Sequence, residues 1–78
     1  MALVRYFAGA RAAAGISEET VDASTLDELL RQLEKRSERM PAILGVSSFL
    51  VDGLAMHDRS ATLPAHCVID VLPPFAGG

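Results

Sequence analysis

The chain holds a single cysteine, Cys67, among its 78 residues. One thiol cannot close an intrachain disulfide, nor can it supply the usual Cys/His complement of a zinc site. A secreted scaffold stapled by disulfides is therefore excluded, no metal is expected, and a reducing cytoplasm is the expected compartment. Positive charge is also scarce. Seven Lys and Arg stand against ten Asp and Glu, for a net charge of −3. Affinity for a phosphate backbone needs clustered cations and these are scattered, so no nucleic-acid partner is expected. Long apolar runs are missing as well. The longest uncharged stretch lies between Arg39 and Asp52 and is broken by Pro41, Gly45, Ser47 and Ser48, too short to cross a bilayer. Arg5 leaves no room for the apolar region of a signal peptide, so neither a leader nor a membrane association is expected. There is no internal repeat, no low-complexity segment and no glycine-rich phosphate loop.

What is present reads as one small folded domain. Half of the residues are apolar and 22% are charged, an ordinary globular composition. A domain of this size buries about two-thirds of the surface its unfolded chain exposes, so the core is lean. Residues 2–8 (ALVRYFA) predict a strand ended by Gly9, with Val4, Tyr6 and Ala8 on one face and Leu3, Arg5 and Phe7 on the other. Residues 10–15 fit one helical turn with Gly15 as its stop. Residues 16–23 predict a second strand, at an edge, where Ser17, Glu18, Glu19 and Asp22 read as a solvated face that discourages stray pairing.

The clearest local pattern follows. Ser24 and Thr25 are candidate N-caps, and Asp27 and Glu28 complete a capping box. Leu26, Leu29, Leu30 and Leu33 then form one apolar stripe at helical spacing, which must lie on a sheet. Arg36 and Arg39 suit the end of this helix, and Pro41 is expected to prevent its continuation. Residues 48–51 predict a third strand, Asp52-Gly53 a hairpin turn, residues 54–56 a short return strand, and residues 67–72 (CVIDVL) the last strand. The resulting fold class is α+β, one main helix packed on one face of a mixed sheet. By its alternation with Ile69 and Val71, Cys67 belongs to the core. His57 and His66 read as solvated loop residues.

The last six residues carry the chemistry. Pro73 and Pro74 cannot extend the sheet and favour a stiff, polyproline-like exit. Gly77 and Gly78 lack a Cβ, so the backbone there can pass a channel too narrow for side chains. From Leu72 to Gly78 the chain reaches roughly 20 Å when extended, enough to deliver its end into another protein's active site. Phe75 is a large apolar residue in an exposed position, which suits a partner contact. An α-carboxylate is ionised at neutral pH and a poor electrophile, so Gly78 must be activated before it can accept a nucleophile. Having no phosphate loop of its own, the chain is expected to be the substrate or carrier and another enzyme the activator.

The run VRYFAGAR (4–11), the capped leucine helix and the ending DVLPPFAGG (70–78) together resemble the MoaD/ThiS family, and most closely its MoaD branch, the small sulfur-carrier subunits of molybdopterin synthase. The resemblance implies a ubiquitin-like β-grasp fold over residues 1–72, with first and last strands paired parallel, and an extended tail over 73–78. It implies that a MoeB-like enzyme uses ATP to adenylate Gly78, that a sulfur donor converts it to a thiocarboxylate, and that no cofactor is bound. It further implies that the tail enters a MoaE-like large subunit to build molybdopterin. Partner contacts are then expected from Leu72, Pro73, Pro74, Phe75, Ala76 and Gly77, and from Phe7 and Arg11. A carrier for thiamine or cysteine synthesis, or a ubiquitin-like protein modifier, shares the same fold and tail. With the first and last strands adjacent, the face away from the helix should show Leu3, Arg5 and Phe7 beside Val68, Asp70 and Leu72. An Arg5–Asp70 pair is predicted within that apolar patch.

Overall fold

A computed structural model describes residues 1–74. The elements are β1 (Ala2–Tyr6), α1 (Ala8–Ala14), β2 (Glu18–Val21), α2 (Leu26–Leu33), a 3₁₀ turn (Glu34–Arg36), α3 (Met40–Val46), β3 (Ser48–Val51), β4 (Leu54–Ala55) and β5 (Val68–Leu72). The sheet runs in the order β2-β1-β5-β3-β4. β1 and β5 are parallel neighbours in its interior, and every other pairing is antiparallel. This is the β-grasp arrangement. No helix among the described residues is long and apolar enough to cross a membrane.

Alternation along the strands decides which side is covered. Ala2, Val4 and Tyr6 of β1, Phe49 and Val51 of β3, and Ile69 and Val71 of β5 are all buried, and they join Leu26, Leu29, Leu30 and Leu33 of α2 in one core. Each leucine of that stripe is wholly removed from water, worth about 1.5–3 kcal/mol apiece by area. Cys67 lies in the same core. Burial, and then the nearby Asp52 carboxylate, push its thiol pKa up, so it is an inert packing residue. The capping box closes as the sequence predicts. Thr25 Oγ1 accepts from the Glu28 N–H at 3.2 Å, while the Glu28 carboxylate accepts from the Ser24 N–H at 2.9 Å.

Three expectations need correction. The helical layer holds more than one helix: α1 runs from Ala8, earlier than a single turn would need, and α3 follows α2. Pro41 does not end a helix but sits in the first turn of α3. Its missing N–H costs nothing there, since the first-turn amides lack intrahelical partners anyway. Met40 and Leu44, four apart, bury that helix's inner side. Glu19 is not a solvated edge residue. It points to the covered side of β2, where it accepts from the Tyr6 hydroxyl at 2.5 Å and from Arg36 at 2.7 Å. Edge position left only Glu18 and Thr20 facing water, because the strand's own alternation turns Glu19 inward.

Two left-handed turns set the chain's direction. Gly15 (φ 77°) ends α1 and returns its N–H to the Arg11 carbonyl at 3.0 Å. Asp52 and Gly53 (φ 50° and 85°) form the β3–β4 hairpin. Asp52 does a second job that its turn role conceals: its carboxylate accepts the Val68 N–H at 2.8 Å and its own N–H donates to the Val68 carbonyl at 2.8 Å. The polar segment 57–66 is likewise pinned, since the Leu26 and Asp27 amides at the start of α2 donate to the Ala61 and Arg59 carbonyls.

Candidate functional site

The sheet face away from the helices is open, and it carries the residues expected there. Leu3, Val68 and Leu72 are half-buried, with Phe7 half-buried one residue past the end of β1. In the β1–β5 register Leu3 stands opposite Val68 and Arg5 opposite Asp70. The predicted pair forms as a fork: Arg5 Nε donates to Asp70 Oδ1 at 2.6 Å, and Nη2 donates to Oδ2 at 2.9 Å. Two parallel charge-assisted bonds of this kind fix geometry as well as charge. The Arg5 side chain stays 47% exposed while that of Asp70 is 11% exposed, so the carboxylate is the sequestered partner. The hydrogen bond to Asp70, and then its charge, hold the Arg5 guanidinium even more firmly protonated than usual.

The face is wider than sequence parity foresaw. Leu50 of β3 lies opposite Asp70, and Ser48 opposite Leu72. Leu50 is half-buried on the open side, between the buried Phe49 and Val51. That alternation was visible in the sequence, but which strand neighbours β5 was not. The result is an ion pair bordered by Leu3, Val68, Leu50 and Leu72.

The root of the tail lies at one edge of this face. β1 and β5 run parallel and end together, with Tyr6 opposite Val71. Phe7, Leu72 and the start of β3 at Ser48 therefore gather where the chain leaves the sheet. Arg11 joins them: its Nε donates to the Tyr6 carbonyl at 3.3 Å while its side chain remains at the surface. Pro73 keeps the inward parity of Ile69 and Val71 and is buried, and Pro74 is exposed. Phe75, Ala76, Gly77 and Gly78 lie outside the described residues. The predicted contact residues Phe7, Arg11, Leu72, Pro73 and Pro74 thus sit at one end of the sheet, the end from which Gly78 is tethered.

A model of the ThiS family matches residues 4–78, nearly the whole chain including its Gly-Gly end. The chain belongs to the ThiS family. Solved structures agree on the fold. A putative molybdopterin converting factor subunit 1 from Pyrococcus furiosus superimposes with a TM-score of 0.82 at 24% identity, covering 94% of this chain and 95% of that one. Subunit 1 in the complex of molybdopterin-converting factor subunits 1 and 2 from Helicobacter pylori gives 0.74 at 26% identity, covering 99% and 97%. Small archaeal modifier protein 1 from Methanosarcina acetivorans gives 0.84 at 21% identity, covering 99% and 95%. No curated protein matches the chain. This ThiS-family member therefore shares one fold with proteins named for cofactor synthesis and with one named as a modifier.

Proposed function

We propose that this protein is a sulfur carrier of molybdopterin synthesis whose working group is the Gly78 carboxylate. The observation that carries the reading is the pairing of an open apolar face with a tail rooted at its edge, on a chain that matches its family through the terminal glycines. A partner seated on Leu3, Leu50, Val68 and Leu72 would meet the tail at a fixed root, because Pro73 is buried on the core side of the fold. In the proposed cycle a MoeB-like enzyme first binds this face, and a Gly78 carboxylate oxygen attacks the α-phosphorus of ATP. Pyrophosphate leaves and an acyl-adenylate forms. A donor carrying sulfur at the oxidation level of sulfide then displaces AMP, giving the thiocarboxylate. A MoaE-like large subunit next takes the same face, the thiocarboxylate sulfur attacks a carbon of its bound pterin precursor, and water then cleaves the C–S bond to Gly78, leaving sulfur on the pterin and a carboxylate on Gly78. The Helicobacter pylori relative, solved as a complex of two converting-factor subunits, supports a second subunit as the receiving partner.

Deleting Gly78 tests this directly. The truncated chain should unfold at the same denaturant concentration as the full chain, since Gly78 adds no side chain to the core, yet restore no cofactor synthesis in cells lacking the native protein. Full restoration by the truncated chain would remove Gly78 from the chemistry. Replacing Gly77 with Val should likewise block transfer by adding a β-branched side chain to the stalk.

A further inference from the structure

A cleft of about 190 Å³ lies on the other side of β3 from β5, lined by Leu44, Gly45 and Ser47 of the α3 end, by Ser48 and Phe49, and by Met56, His57 and Arg59 of the following segment, with Leu26 beneath. It is smaller than the roughly 300–1,000 Å³ of pockets for drug-sized ligands, so it suits a group of a few atoms. The geometry points to a binding site for a small oxyanion, a carboxylate or phosphate, held by Arg59 and His57 beside the Ser48 hydroxyl.

Charge decides the class of ligand. Arg5, Arg31 and Arg36 each have a carboxylate partner, whereas Arg11, Lys35, Arg39 and Arg59 make no ion pair among the described residues, and of these four Arg59 is the one that lines the cleft. The nearest acid in sequence, Asp58, is turned to Ser60 instead, accepting from both its N–H at 2.9 Å and its hydroxyl at 2.6 Å. Those two bonds hold the Asp58 carboxyl below its usual range, which keeps it ionised but directed at Ser60. The C-terminal end of α3 would ordinarily oppose an anion. Here Ser47 blunts it, donating its N–H to the Leu44 carbonyl at 3.3 Å and its hydroxyl to the Ile43 carbonyl at 2.6 Å. The backbone that carries Arg59 is itself fixed, because the Asp27 N–H donates to the Arg59 carbonyl at 2.7 Å. An unpaired cation on an anchored loop, over an apolar floor of Leu26, Leu44 and Phe49, is the arrangement that binds an oxyanion by a charge-assisted bond. The cleft flanks the start of β3, whose Ser48 stands opposite Leu72, so β3 alone separates an occupant from the root of the tail. The inference stands whether or not Gly78 carries sulfur.

The test is a titration of the isotopically labelled full chain, followed by amide chemical shifts, with inorganic phosphate in one arm and an end-blocked glutamate peptide in the other. Saturable shifts confined to Ser47, Ser48, His57 and Arg59 are expected. A response to phosphate assigns the site to a free oxyanion, and a response to the peptide alone assigns it to an acidic side chain of a protein partner. Arg59→Gln should weaken the response roughly tenfold, while Arg31→Gln, on the exposed side of α2, should leave it intact. No saturable response in either arm, or equal shifts around Arg5, Arg11 and Arg31, would overturn the assignment.

Discussion

The two faces of this sheet are built from the same strands and do opposite things. On the covered face Val4, Tyr6, Ile69 and Val71 are sealed under the leucines of α2. One residue along each strand, Leu3, Leu50, Val68 and Leu72 are left half in water around the Arg5–Asp70 pair. A monomer gains nothing by leaving an apolar patch uncovered, and such patches mark places where something else binds. The lesson is a division of labour by parity: alternate positions keep the fold, and those between them are free to serve partners.

Truncation should separate the two faces most sharply. Leu29→Ala, on the covered face, should lower stability by about 2–5 kcal/mol in denaturant unfolding. Leu50→Ala, on the open face, should cost under about 1 kcal/mol, yet weaken co-purification with the proposed large-subunit partner. Equal stability losses at both sites would erase the distinction. The ion pair gives a smaller effect. Asp70→Leu alone leaves the Arg5 charge without its fork and should destabilise the chain, whereas adding Arg5→Met should return much of the loss, because a paired charge traded for apolar contact is close to neutral. A double variant less stable than either single one would show that the pair holds the fold.

The smallest effect concerns acid. Glu19, on the covered side, is held below the usual carboxylate range chiefly by the hydrogen bond from Arg36, with Tyr6 adding to it and burial opposing. A folded-state pKa lowered in this way contributes stability above the unfolded value of about 4.3 and loses it as pH falls through the lower folded value. Unfolding curves from neutral pH to pH 3 should therefore show Glu19→Gln with a flatter decline in acid than the parent. An unchanged slope would mean that Glu19 is not coupled to folding.

How much of this was legible in the sequence depends on the range of the interaction. The α2 stripe, its capping box and the Asp52-Gly53 turn are local patterns, and each appears where the residues place it. The Arg5–Asp70 pair spans 65 positions but followed from parity once β1 and β5 were taken as neighbours. What escaped was decided by tertiary context. Pro41 is compatible both with stopping one helix and with starting another, and only the packing of Met40 and Leu44 chooses between them. Glu19 looks like solvent-facing charge until Tyr6 and Arg36 converge on it. Leu50 joined the open face only when the neighbour of β5 was known. The cleft around Arg59 has no sequence signature, since its walls come from α3, β3 and a loop that looks merely polar.

The proposed charging of Gly78 with sulfur leaves a mark on the protein itself. Intact-mass measurement of the protein purified from its native cells, with the C-terminal peptide sequenced, tests it most directly. A fraction of chains should have one terminal oxygen replaced by sulfur, confined to Gly78. Chains ending only in an ordinary carboxylate while the cells are making the cofactor, or Gly78 found in amide linkage to lysines of other proteins, would contradict it.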